Sequence, residues 1–252
     1  APLNEGGGDA VDLVTGARGF DNSDGTSTLV REANQHGRHV VMEAGTQATD
    51  NNGFQFPSED KWNLTGKGIT VLTHLQHGDE VSSSGARLLS KRNLGFTAGF
   101  EITARATDNI DWRLNTSDAC LLTPGTTLDG KDAYLAGIYN GIEMNCWWRP
   151  GLDGVILKAT PTALTSNLTA DATTPMSIGQ HVDNARAFDG IMYWSAVWNR
   201  ALTQNEIESF WANPWQVIAP QTRRIPVGLA AAAVVVITSV SGDDIWADGD
   251  TA

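Results

Sequence analysis

The stretch FDGIMYWSAVWNRALTQNEIESFWANPWQVIAP, Phe188 to Pro220, decides how the rest of the chain is read. Ile191 to Trp198 is a β-branched and aromatic run, apolar on both alternating faces, which predicts a strand covered on both sides. Asn199-Arg200-Ala201-Leu202 interrupts it. Thr203 then stands three residues before Glu206, the spacing of a capping box, in which each side chain satisfies an orphan backbone donor at a helix start. Ile207, Phe210 and Trp211 follow at helical spacing and give one apolar face. Asn213-Pro214 closes the helix, because proline disfavours the α conformation in the residue before it. The stretch therefore predicts a strand, a turn and one short helix near residues 203–213.

Working outward, the remaining apolar segments are short and strand-like. His39–Met42, Phe54–Phe56, Gly68–Leu75, Ala86–Ser90, Asn109–Leu114, Ala119–Leu122, Ala133–Tyr139, Glu143–Trp148 and Val155–Leu157 each read as a strand. Gly95–Ala104 alternates Phe96, Ala98, Phe100 and Ile102 on one face. The sequence has 252 residues, 26 of them Gly and nine Trp, with a single convincing helix pattern. That composition favours an all-β sandwich with many turns over an alternating α/β chain.

These pieces resemble a laminin-G-like (LamG) domain of the concanavalin A-like lectins and glucanases. Phe188-Asp189-Gly190, Asn199-Arg200-Ala201-Leu202, Glu206-Ile207 and Asn213-Pro214 match the family's closing unit. Asn4-Glu5-Gly6 resembles its opening, Leu88-Leu89-Ser90-Lys91 its core hairpin, and Pro175-Met176-Ser177-Ile178-Gly179 the strand before closure. The family's usual Trp-led strand is replaced by Ala133–Tyr139, which begins without a Trp. The resemblance spans about residues 3–215 and implies a two-sheet jelly-roll sandwich. On this reading 1–220 is the sandwich and 221–252 a linker followed by an incomplete β segment. That segment, from Val234 into Asp243–Asp250, resembles the start of an IPT-type immunoglobulin-like module.

Charge narrows the function. Against 17 Lys and Arg stand 29 Asp and Glu, a net charge of −12, and the basic residues are scattered. Nucleic-acid binding, which needs clustered cations on phosphate, is not expected. The longest apolar run, Val227–Ile237, is about half of the ~20 residues that a membrane span needs. The chain opens directly on Ala1-Pro2-Leu3, without a recognisable leader, and reads as starting inside its first strand. Cys120 and Cys146 fit either one bridge or two buried thiols.

Catalytic patterns are missing. Glucanases of this superfamily set two carboxylates on one strand face as E-x-D-x-x-E, about 5 Å apart for a retaining mechanism, and no E-x-D occurs. There is no G-x-S-x-G elbow. Gly125–Asp132 approaches a phosphate loop, but Asp132 replaces the magnesium-binding hydroxyl and a strand follows, so a hairpin loop is expected. His74 and His77, three apart on a strand, lie on opposite faces and read as surface histidines beside an acidic loop.

Two kinds of binding site remain. Exposed aromatics beside polar partners suit sugar faces, and Trp147-Trp148 next to Arg149 is the best such group, since one of two adjacent strand residues must point outward. Core packing is the alternative for each Trp. The family often carries calcium at a loop rim, an ion that takes about six to eight oxygens. The resemblance makes Asp79, Glu80, Asp153, Asp183 and Asp189 the candidate carboxylates, with turn residues or solvated charges as the alternative. The expected function is a non-catalytic extracellular recognition or structural module. The joining of a LamG-like domain to an IPT-like strand resembles mosaic proteins of bacteriophage virions, which implies decoration, fibre or adhesion parts. The expected partners are glycans or a host surface, or other virion subunits contacted through 217–252. A purely structural assembly protein and a polysaccharide-acting enzyme are the alternatives.

Overall fold

A computed structural model of the chain describes residues 53–58, 64, 68–78, 85–105, 109–115, 118–126, 128–164, 168–169, 171–183 and 186–217, with the strand segments Ala10–Val11, Arg18–Asp21, Thr28–Asn34, Gly37–Glu43, Arg224–Pro226 and Val234–Val236. Internal contacts divide the chain into two compact units, Ala1–Ala212 and Asn213–Ala252.

Among its described residues, the first unit has two antiparallel sheets and one helix. In spatial order, the first sheet contains β1 (Ala10–Val11), β2 (Arg18–Asp21), β5 (Phe54–Phe56), β15 (Met176–Ile178), β7 (Ala86–Arg92), β8 (Gly99–Arg105), β9 (Asn109–Leu114) and β10 (Asp118–Leu122). The second contains β13 (Leu157–Lys158), β12 (Glu143–Pro150), β11 (Asp132–Tyr139), β6 (Ile69–His77), β16 (Gly190–Trp198), β4 (Gly37–Glu43) and β3 (Thr28–Asn34), and β14 (Thr162–Ala163) also pairs with β12. This is the expected concanavalin A-like sandwich. The strand period of two explains the layering. Phe100, Ile102 and Ala104 on β8 face inward to meet Leu135 and Trp148 of the other sheet in one buried core. Cys120 and Cys146 are free buried thiols, and burial pushes both up from the usual thiol range.

The second sheet carries a smaller apolar cluster on its other face. Leu72, Tyr134, Ala136, Ile138, Trp147, Tyr193 and Trp194 gather there under Leu202, Ile207 and Trp211. The last two belong to helix α1 (Gln204–Ala212), whose start is the capping box read from the sequence. Glu206 Oε2 accepts from the Thr203 N–H at 2.8 Å, and the Glu206 N–H reaches back to Thr203 Oγ1 at 3.4 Å. Arg200 adds two bonds to the same carboxylate, at 2.7 and 3.1 Å. The Arg200 bond, with Thr203, holds the Glu206 carboxyl down at about 2. Its contribution to the helix start is complete above the ordinary value of 4.5 and is lost as the pH falls through about 2. An NMR titration of Glu206 is expected to show a midpoint near 2, and one near 4.5 would contradict the cap.

The outer face of the first sheet is polar yet buried. Glu101 on β8, fully buried, accepts from Arg92 Nη1 at 2.6 Å and Arg87 Nε at 3.2 Å. One residue pair further along, Asp111 on β9 is held by Arg105 and Arg113, at 2.5 and 2.7 Å. Burial raises the Asp111 carboxyl above its usual range, with Arg105 working against the rise.

Several local expectations are corrected. Phe96 is not on β8: Asn93 Oδ1 accepts from the N–H groups of Thr97 and Ala98, and the turn this makes puts Phe96 at φ 54°, over Arg92. Val155 is exposed, and the strand near it is only Leu157–Lys158. Gly125–Asp132 is not a hairpin, because β10 and β11 lie in different sheets and the loop crosses between them. In the second unit, Pro214–Val217 is a 3-10 helix, and Arg224–Pro226, read as linker, is strand β17, antiparallel to β18 (Val234–Val236).

Candidate functional site

Strand register sets the outer face of the second sheet. Trp194, His74, Tyr134 and Arg149 lie side by side across β16, β6, β11 and β12. Two residues along, Ala196, Leu72, Ala136, Trp147 and Lys158 form the next row, which ends on β13. On the other side, Ile191, Gln76 and Asp132 make a third. A register shift between Met192 and Trp194 leaves Tyr193 as the extra residue of a bulge. Tyr193 and Trp194 consequently both join the outer cluster, which strict alternation would forbid.

The bulge completes a three-ring stack. His74 lies between Tyr134, at 4.0 Å and nearly parallel, and Tyr193, at 4.2 Å, with Trp194 edge-on at 6.2 Å. His74 Nε2 and Asp132 Oδ1 are 2.5 Å apart, and Asp132 keeps 28% of its side-chain surface exposed. Tyr193 donates to Gln76 Oε1 at 3.5 Å, while Gln76 donates to the Gly130 carbonyl. Burial, reinforced by Asp132 and Tyr193, pushes the Tyr134 hydroxyl well above its usual range, so it stays protonated at neutral pH.

Beside the stack, the Trp147 indole donates to Asn145 Oδ1 at 2.9 Å and lies under Lys158 Nζ, 4.2 Å from the ring centre. Arg149 is held by the Gly154 carbonyl at 2.9 Å. The region thus sets aromatic rings, a carboxylate, amides and a guanidinium on one rigid sheet face, with Gln76, Asp132, Asn145 and Arg149 each part-exposed. The part-exposed polar groups can hydrogen-bond hydroxyl groups, while the rings among them are buried, from 3% to 8% exposed.

The sequence-selected residues fall as follows. Trp147 and Arg149 are on this face, but Trp147 is buried, which corrects the expectation of an exposed ring. Trp148 points the other way into the inter-sheet core, 2% exposed. Asp153 is an exposed turn residue. Asp183 accepts from His181 Nδ1 at 2.8 Å; burial opposes ionisation, yet His181 and Arg186 hold its carboxyl below the usual range. The Asp189 carboxylate crowds the space that a Cβ on Gly78 would need. Asp79 and Glu80 lie outside the described residues. Among the described residues, no three His, Cys, Asp or Glu side chains come together as a metal site.

Both histidines correct the expectation of surface residues. His74 and His77 are 3% and 2% exposed, on opposite faces of β6 as the period requires. His77 turns inward, with Phe188 edge-on at 5.4 Å and its Nδ1 2.8 Å from the Gly78 carbonyl oxygen. The stack partners Asp132, Tyr134 and Tyr193 were not selected from the sequence, and only the β-propensity of their strands marked them.

The family model Laminin_G_3, of the concanavalin A-like lectin/glucanases superfamily, matches residues 47–208, more than half of the chain. No curated protein sequence matches it. Among solved structures, the fold is like that of the binding domain of Paraclostridial Mosquitocidal Protein 1, with a TM-score of 0.56 and 9% identity, covering 83% of this chain and 49% of that one. Domain 4 of AbnA, an extracellular GH43 arabinanase from Geobacillus stearothermophilus solved with arabinotriose, gives 0.51 at 10% identity over 72% of this chain and 80% of that one. The binding domain of Botulinum neurotoxin DC, in complex with rat synaptotagmin II, gives 0.53 at 6% identity over 78% and 47%. The chain spans about half the length of the first and third of these.

Proposed function

Because the chain belongs to the Laminin_G_3 family of the concanavalin A-like lectin/glucanase superfamily, we propose that it is a non-catalytic recognition module whose second sheet presents its outer face to a glycan. The observation that carries this reading is the set of part-exposed polar groups, Gln76, Asp132, Asn145 and Arg149, held on one sheet face beside the buried Tyr134–His74–Tyr193 stack and Trp147. It gains support from the company the fold keeps: two toxin binding domains and an arabinanase domain solved with a sugar. On this reading Trp147 and Arg149 meet the ligand, and Trp148 backs them from the core. Calcium held by carboxylates among Asp79, Glu80, Asp153, Asp183 and Asp189 is a further proposal; a thermal shift on adding calcium tests it.

The test is binding to a panel of neutral oligosaccharides, arabinotriose included. Trp147→Ala and Arg149→Ala are each expected to weaken binding about tenfold, the equivalent of one lost ring or hydrogen-bond contact. A panel silent for the intact chain would end the proposal.

A second reading makes the chain an extracellular part of a bacteriophage virion. It is supported by the resemblance of the LamG–IPT junction to virion mosaics, and by the second unit's β17–β18 pair, since an isolated hairpin is marginal in water. That pair is then expected to complete itself against another subunit. Assembly unchanged by deleting residues 217–252 would count against this reading.

A further inference from the structure

Trp147 brings an indole to the proposed face, yet only 8% of it is exposed. Its indole N–H is fixed by Asn145, so the ring itself does not turn. The group above it is Lys158, its register partner on the two-residue strand β13, with Nζ 4.2 Å from the ring centre. The same ammonium donates to Gln204 Oε1 at 2.6 Å, and Gln204 donates in turn to Glu208 on the next turn of α1. Lys158 and Gln204 are both exposed, so each part of this latch borders solvent. An exposed ammonium over an indole is held weakly, and a lysine stem has several rotamers into which it can swing.

We propose that Lys158 is a removable lid on Trp147, latched to the helix by Gln204, and that a neutral saccharide binds by displacing the ammonium and stacking on the uncovered ring. The inference rests on the reading of this face as a saccharide-binding surface. It adds that the site is occluded by the protein's own cation, and that a displaced Lys158 remains at the rim to meet ligand hydroxyls or carboxylates.

The test compares the intact chain with Lys158→Ala and Lys158→Arg. Tryptophan oxidation by N-bromosuccinimide, mapped by peptide mass spectrometry, reads exposure at Trp147 without any ligand. Lys158→Ala is expected to speed Trp147 oxidation by about two- to tenfold, in line with the loss of one weak cation–π contact, and Lys158→Arg to leave it near the parent rate. Affinity for neutral trisaccharides is expected to rise in Lys158→Ala by a similar factor. Unchanged oxidation overturns the lid, and so does faster oxidation with unaltered trisaccharide affinity. If oxidation rises but no form of the protein binds a trisaccharide, the lid over Trp147 stands and the saccharide reading falls.

Discussion

Replacing Glu101 with alanine is expected to cost about 3–5 kcal/mol of folding stability, the usual penalty for leaving a buried charge without its partner. Glu101 has no exposed surface, and its two oxygens take bonds from Arg92 and Arg87. Neither guanidinium can leave easily. Arg92 also donates to the carbonyls of Asn115 and Phe96, and Arg87 to that of Gly85. Burial already pulls Arg87 below its usual value, with Glu101 opposing that pull. Without the carboxylate, the two guanidiniums of β7 would stay buried and lose the counter-charge they share. Chemical denaturation should show the loss directly. Replacing Glu101, Arg87 and Arg92 together with apolar residues of similar volume is expected to cost less than Glu101→Ala alone, because no orphaned charge remains.

Trp112→Ala is the second large effect, also expected at about 3–5 kcal/mol. Trp112 on β9 is fully buried between the sheets, and its N–H donates to the Ile138 carbonyl at 3.1 Å. The ring occupies space that a glycine leaves open on the opposite sheet: a Cβ on Gly137 would come within 2.5 Å of it. Gly137→Ala is therefore destabilising in the parent protein, by about 1–3 kcal/mol as overpacking. In a Trp112→Leu background that penalty should shrink, a coupling that a double-mutant cycle reads.

Much of the fold was legible because its signals are local. The capped helix, the β16 run and the short strand-like segments of β9, β11 and β12 each depend on residues close in sequence. The expectation for Phe96 failed because an Asn93-capped turn overrides an alternating pattern that continues through it. The candidate site was less legible for the opposite reason. His74 and Asp132 are 58 positions apart, and Gln76 and Tyr193 are 117 apart. Only strand order brings them together, and the bulge that turns Tyr193 toward His74 has no sequence signal of its own. The parity of Trp147 and Trp148 was readable, whereas the Lys158 cover on Trp147 required knowing that β13 pairs there.

On the proposed reading, the outer face of the second sheet is where this module meets a glycan. Backbone and indole NMR shifts, followed while neutral pentose and hexose trisaccharides are added, test it most directly. Perturbations are expected at the Trp147 indole and at residues of β6, β11, β12 and β16 around His74, Tyr134 and Tyr193. Perturbations confined to the first sheet around Arg87 and Glu101, or none with any trisaccharide, would contradict it.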